Sequence, residues 1–354
     1  TTDMSDPRNY TVSWICAILP EFVAAQEFLD EEHEGPSHVA SGDKNTYCLG
    51  RIHKHNIAIA ALPDGRYGTS TAAAVATSML HSFPNIRIGL MVGIAGGAPT
   101  ADDDIRLGDI VVSAPRGDQS GVFQYDFGKT IQGQKFHYTK HLDKPPTAVL
   151  TAISSLRAKH ERRGHEIAAA VKERVAKLRR PKAYSRPDAA TDVLYRSEII
   201  HIENEPLCAT ACGTSAAEVV PRNPRDEDED DDPTIHYGLV ASADQLMKDA
   251  TVRDRLASER KVLCFEMEAA GLMDNFPCLV IRGICDYSDT HKNKAWQGYA
   301  SMTAAAYARE LLYCVSPSQL ELEKTVSEAI ALGMCLDDCF MNSLLTRLSA
   351  PRCS

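Results

Sequence analysis

No apolar run in this 354-residue chain approaches the length that a bilayer span needs, so no membrane-spanning helix is expected. A surplus of base is missing too. Lys and Arg number 38 against 48 Asp and Glu, a formal charge of −10, which argues against a nucleic-acid-binding face but leaves room for a local basic pocket. The opening residues Thr1 to Tyr10 carry no apolar h-region, so no secretory signal is visible. A disulfide framework is also lacking. The eleven cysteines are odd in number, and several sit in apolar runs such as Val262-Leu263-Cys264-Phe265, as buried thiols of a reducing, cytoplasmic compartment do. Cys208-x-x-x-Cys212 and Cys335-x-x-x-Cys339 have no second pair of suitable spacing with histidines, so no metal site is expected. There is no internal repeat.

What the chain has is ordinary globular composition, 44% apolar and 24% charged, arranged as strands alternating with helices. Val12–Leu19 reads as a buried strand, with Pro20 at the first position of a helix. Tyr47–Leu62 reads as two strands around His53-Lys54-His55-Asn56. Thr69 is placed to cap an alanine-rich helix over Ser70–Ser82. Ile88–Val92, Asp109–Ser113, Tyr237–Ala241, Lys261–Phe265 and Pro277–Cys285 read as further strands, and Thr147–Leu178 and Met302–Tyr313 as helices. The fold class that follows is α/β: one three-layer α/β/α domain around a mixed, mostly parallel sheet. It is expected to span residues 11–314, with an insertion over about 130–235 and a helical tail over 315–354. The stretch 181–233 is poorly periodic and holds the acidic run 226–232, which reads as a solvated loop.

The chemistry concentrates in carboxylates. Glu266 and Glu268 head a small-residue helix, Phe265-Glu266-Met267-Glu268-Ala269-Ala270-Gly271, and Asp286 stands where the next apolar strand ends. Open α/β sheets bind ligands in that crevice, and charge placed there is costly unless paired or used. Four more segments accompany this pair: Ile15-Cys16-Ala17-Ile18-Leu19-Pro20-Glu21; Gly93-Ile94-Ala95-Gly96-Gly97 followed by Leu107–Ser113; Gly238-Leu239-Val240-Ala241-Ser242-Ala243-Asp244; and Arg282–Asp289. Together and in this order they resemble the purine and uridine phosphorylase family, closest to its nucleosidases and to fungal members that head large receptors. The resemblance covers roughly residues 11–313, apart from the middle, and implies the nucleoside phosphorylase type of α/β fold.

The resemblance implies cleavage of an N-glycosidic bond through an oxocarbenium-like sugar. Asp286 then protonates the leaving purine at N7. Glu268 accepts from the ribose hydroxyls, Met267 packs on the sugar, and Glu266 either braces the site or helps to hold the sugar. Gly96 lets the ligand approach the backbone. The base is expected near Ala241–Met247, with Leu246 and Met247 beside it and Phe123, Tyr125 or Phe127 as a lid. For each acid the plainer reading is a helix N-terminus that favours negative charge.

Phosphorylases of the family carry an arginine two residues before the first glycine of the glycine loop and a hydroxyl residue after it. Here those places hold Met91 and Ile94. Glu21 occupies the place of the glutamate that activates water in the nucleosidases. Hydrolysis to free base and ribose is therefore expected. Arg66 and Arg106 keep a phosphorylase as an alternative. Methylthioadenosine hydrolases place an aromatic residue where Leu246 stands and a serine where Ile94 stands, so that substrate does not transfer. Arg66, Lys248, His236, His291 and Lys292 are read as a positive rim for a 5′-phosphate, which makes AMP, ADP or ATP an alternative substrate with a defence or signalling role. A non-catalytic nucleoside sensor is the remaining alternative. No metal or organic cofactor, nucleic acid or membrane is expected, only a small purine nucleoside or nucleotide, in a homo-oligomer that the family implies to be a dimer.

Overall fold

A computed structural model describes residues 3–331 except 118, 141, 202–207, 226–231, 274, 275, 277 and 293. The strands are β1 (Val12–Cys16), β2 (Glu31–His33), β3 (Tyr47–Ile52), β4 (His55–Ala61), β5 (Ile88–Gly97), β6 (Ile110–Ser113), β7 (Val122–Gln124), β8 (Gly128–Lys129), β9 (His137–Tyr138), β10 (Ile235–Ser242), β11 (Val262–Glu266) and β12 (Cys278–Asp286). The helices are α1 (Leu19–Glu27), α2 (Thr69–Ser82), α3 (Thr147–Arg163), α4 (Ile167–Val175), α5 (Cys208–Ala211), α6 (Ala250–Arg260), α7 (Ala269–Met273), α8 (Gln297–Cys314) and α9 (Pro317–Leu322).

The fold is α/β around one mixed sheet, ordered β11-β10-β6-β12-β5-β1-β4-β3-β2, with β7 beside β10. The pairs β1–β4, β1–β5, β5–β12 and β10–β11 are parallel, and β6–β12, β3–β4 and β2–β3 antiparallel. β11 also pairs antiparallel with the end of β5, Phe265 opposite Gly96 and Cys264 opposite Gly97. That last pairing curls the sheet end on itself and brings the head of α7 against the glycines of β5. The central strands are near-continuous apolar runs because helices cover them: α8 lies on β5 and β12 with α1, α3 and α4 against it, while α2 and α7 pack together. Val12, Trp14, Ile59, Leu90, Met91, Val280 and Ile281 are core.

Several local expectations change. The Thr147–Leu178 helix is two helices, broken at Gly164, whose positive φ lets its N–H turn back to the carbonyl of His160. Thr69 lies inside α2 and does not cap it. The cap comes from a distant chain segment, since Asp244 accepts from the Thr69 N–H and hydroxyl, both at 2.7 Å. The last helix of the core begins at Gln297, five residues earlier than periodicity suggested. The stretch after 181 holds only short 3₁₀ turns and a bridge between Tyr195 and Val219, yet it buries Leu194 and Tyr195. Residues 226–231 of the acidic run lie outside the described residues, and Asp232 pairs with Arg186. Of the tail, residues to 331 are described. Glu323 accepts from Arg87, and the Val326 N–H bonds to Ile86, so this part packs on the body. The eight described cysteines are all free, and no described helix is long and apolar enough to cross a membrane.

Candidate active site

Arg282, in the middle of β12, is 0% exposed. A guanidinium cannot shed its charge, so its burial must be matched by anions. Three glutamates do this. Glu266 takes a direct ion pair from Nη2, Glu268 Oε2 lies 3.6 Å from the same nitrogen, and Glu21 Oε1 lies 4.0 Å from Nη1. Arg282 Nε and Nη1 have no hydrogen-bond partner, so two buried donors face the carboxylates with capacity to spare. Burial, and then the neighbouring Glu266, push the Glu268 carboxyl up to about 8, although Arg282 and the Gly68 N–H pull the other way. Burial likewise raises Glu21 against the pull of Arg282 and three backbone N–H groups.

Each glutamate is positioned by its own element. Glu21 is the third residue of α1, where its Oε2 accepts from the N–H groups of Ala17 (2.6 Å) and Ile18 (3.2 Å). Its Oε1 accepts from Ile94 N–H on the glycine strand at 2.8 Å. Three N–H groups fill three of the roughly four acceptor sites of a carboxylate, leaving one for a ligand. Glu266 accepts from the N–H groups of Glu268 and Ala269 at 3.0–3.1 Å. It therefore both starts α7 and neutralises Arg282, which is a bracing role. Glu268 follows, buried, with half-buried Met267 between them.

The glycines of β5 are where the carboxylates come closest to the backbone. A Cβ on Gly93 would stand 2.3 Å from Glu21 Oε1 and 2.5 Å from Arg282 Nη1, and one on Gly96 would stand 2.5 Å from Asp286 Oδ1. Asp286 ends β12 just past a register shift between Ile284 and Asp286, an irregularity of the kind that re-aims a side chain. Its Oδ1 accepts from Ser288 N–H at 2.8 Å, and the Lys292 ammonium spans both oxygens at 3.0 and 3.1 Å. Glu21 and Asp286 thus flank one strand, against glycines about 10 Å apart at ~3.3 Å per residue.

The residues named for the base separate into two environments. Ala241 and Met247 are buried in an apolar cluster with Ala98, Tyr125 and Phe265, whereas Leu246 is 52% exposed. Tyr125 is not a lid: its ring packs edge-on against Phe265 and its hydroxyl donates to the Gln245 carbonyl. Phe123 packs on Tyr138 under Arg260, and Phe127 is exposed. The five-residue positive rim is dispersed. Arg66 and Lys248 are exposed on loops that the Thr69–Asp244 contact ties together. His236 donates to buried Asp109 at the start of β6, where Arg225 also binds. His291 is buried against Tyr195, and Lys292 is the partner of Asp286. Arg106 is committed to Asp104 and the Asn223 carbonyl. Two cavities of about 400 and 720 Å³ share Arg106, Arg222 and Arg225, and each of these arginines is paired with an aspartate.

Arg282 and Lys292 are the site residues that reading the sequence assigned no such part. The signal for Arg282 was present: a lone guanidinium inside Val280-Ile281-Arg282-Gly283-Ile284 has to meet acids. Nothing local marks Lys292 as the partner of Asp286.

The chain belongs to the phosphorylase superfamily, whose family model matches residues 14–312. It is 45% identical, over 92% of its length, to a nucleotide-binding leucine-rich repeat (NLR)-like protein of Hyaloscypha variabilis. It is 23% identical, over 69% of its length, to ATP nucleosidase Cap17 of Escherichia coli. The chain spans 31% and 39% of the lengths of these two relatives. Among solved structures it shares its fold with the 5′-methylthioadenosine/S-adenosylhomocysteine nucleosidase of Helicobacter pylori, at a TM-score of 0.54 and 15% identity over 86% of this chain and 98% of that one.

Proposed function

We propose that the chain hydrolyses the N-glycosidic bond of a purine ribonucleoside or ribonucleotide, with water as nucleophile. The observation that carries this reading is three glutamates on one buried guanidinium beside Gly93. Such a cluster of acids repels a phosphate dianion and suits the cationic sugar of an oxocarbenium-like transition state. Met91, which stands where a phosphorylase has its arginine, is core between Ile15 and Val280. The 4.0 Å between Arg282 Nη1 and Glu21 Oε1 is too long for a direct hydrogen bond and fits a bridging water. Glu21 removes a proton from that water as it attacks C1′, and its raised proton affinity strengthens it as a base. Asp286, oriented by Ser288 N–H and Lys292, stands as the general acid toward the departing purine. Glu268, carrying a proton below about pH 8, can donate to one ribose oxygen and accept from the neighbouring hydroxyl.

The test is a panel of adenosine, inosine, AMP and ATP in phosphate-free buffer, with products separated by chromatography. Free base without added phosphate is expected. Strict dependence on phosphate, with ribose 1-phosphate as product, refutes hydrolysis. Tight binding of nucleoside with no base released makes the domain a sensor.

A second reading concerns the substrate. Arg66 and Lys248 stand on joined loops, and the Gly68 N–H, between Arg66 and α2, lies close enough to Glu268 to lower its carboxyl, so a phosphate held there would lie at the far end of the ribose. The likeness to an ATP nucleosidase supports the same substrate class. Preference for ATP or ADP over adenosine, weakened by Arg66→Ala or Lys248→Ala, selects this reading. Equal rates on adenosine and ATP in wild type exclude it.

A further inference from the structure

Four potential ligands outside the glutamate cluster converge from three chain segments. His201 precedes α5, Cys208 opens it and Cys212 follows its last residue, four positions on, and His291 follows Asp286 on the loop after β12. His201 Nδ1 is 3.3 Å from Cys212 Sγ and 3.6 Å from Cys208 Sγ. One ligand atom from each of His201, Cys212 and His291 lies within 4.8 Å of the others. A tetrahedral zinc ion with Zn–N near 2.0–2.1 Å and Zn–S near 2.3 Å sets its ligand atoms about 3.3–3.8 Å apart, the spacing the two sulfurs already have from Nδ1.

Both thiols stand at ligand spacing from one ring nitrogen. A neutral imidazole nitrogen has one lone pair, so Nδ1 of His201 cannot accept from both thiols. The His291 side chain is 5% exposed; its Nδ1 faces Asp289, and its Nε2 has no hydrogen-bond partner. The surroundings are those of a metal-bound imidazole. The Tyr195 ring stacks on His291 at 3.9 Å, Asp289 Oδ2 lies 3.4 Å from its Nδ1, and Thr290 Oγ1 accepts from the His201 N–H at 2.8 Å.

We propose that His201, Cys208, Cys212 and His291 bind one zinc-class divalent ion, which fastens the segment around α5 to the loop carrying Asp286 and Lys292. Two thiolates and two imidazoles in tetrahedral array select zinc or cobalt over magnesium or calcium. Four protein ligands leave no open position, so the ion is structural. The Cys-x-x-x-Cys pair has one histidine nearby, His201, and the fourth ligand could not be read from the sequence because His291 arrives from the loop after β12.

The full chain, reduced and stripped of metal by chelator, is titrated with cobalt(II). One equivalent should produce thiolate-to-cobalt charge-transfer bands and the visible bands of tetrahedral cobalt, and one equivalent of zinc should bleach them. Cys212→Ser and His291→Gln should each weaken zinc by at least about tenfold, the loss that even a partner behind a ligand causes. Cys48→Ser, at a half-buried thiol elsewhere, should change nothing. The wild-type titration needs no variant to fold. Absence of charge-transfer bands with cobalt in excess overturns the proposal, and so do bands that persist in the Cys208→Ser, Cys212→Ser double variant.

Discussion

At the scale of single residues, the site is governed by how much charge one buried guanidinium can hold. Asp286→Asn keeps the shape but removes the proposed general acid, so kcat/KM for base release should fall about 10²–10⁴-fold, in steady-state kinetics. Arg282→Met leaves three buried carboxyl groups facing one another with no cation among them. Breaking a buried pair of this kind costs about 3–5 kcal/mol, and urea denaturation should show that loss. Glu268 gives a pH dependence of defined sign. Its carboxyl ionises near 8 when folded against an ordinary 4.5, so the folded state binds more protons between those values. Its contribution to stability is complete below about pH 4.5 and declines as pH rises toward 8. Glu268→Gln should flatten the fall of Tm over that window. A decline as steep in the variant as in wild type removes Glu268 as the cause.

At the scale of elements, helix starts are tied to the site. α1 begins on Glu21, α7 on Glu266, and α2 on Asp244 from the loop after β10. Asp244→Ala should cost about 1 kcal/mol, as loss of a helix cap does, measurable as a lower Tm. It should also raise KM, because Gly68, next to the freed Thr69, feeds Glu268. A variant with lower Tm and unchanged KM separates the cap from the site. Much of this level was legible: the order of strands and helices, the glycine strand and the acid pair at the head of α7 all follow from periodicity and small residues. The long helix divides because the polar run from Lys159 to Glu166, with Gly164 inside it, reads as a solvated helical turn until the positive φ of Gly164 turns the chain. The capping of α2 was misjudged because a local threonine looks sufficient until a distant aspartate is folded onto it.

At the scale of the whole molecule, the exposed apolar residues are not scattered evenly. Tyr67, Phe127 and Leu246 are all exposed, and their loops meet at Asp244, which accepts from Thr69 and donates its N–H to Asp126 at 3.1 Å. An apolar rim of this kind beside a ligand site suits a protein partner. A homodimer that covers this rim should be seen by analytical ultracentrifugation, and Leu246→Asp should shift it to monomer with loss of activity. Monomeric wild type with full activity disproves the dimer.

The chain's own letters determined that acids gather at the carboxyl end of apolar strands, because only buried strands are so uniformly apolar and charge beside them must be paired or used. They also determined an α/β fold, through alternating periodicities. Tertiary structure decided which charges meet. Glu21, Glu266 and Glu268 converge on Arg282, Lys292 turns to Asp286, and His236 and His291 go elsewhere, because pairing in a buried site is set by distances between strands far apart in the chain. Electrostatic energy depends on those distances and on exclusion of water, and neither is written in the local order of residues.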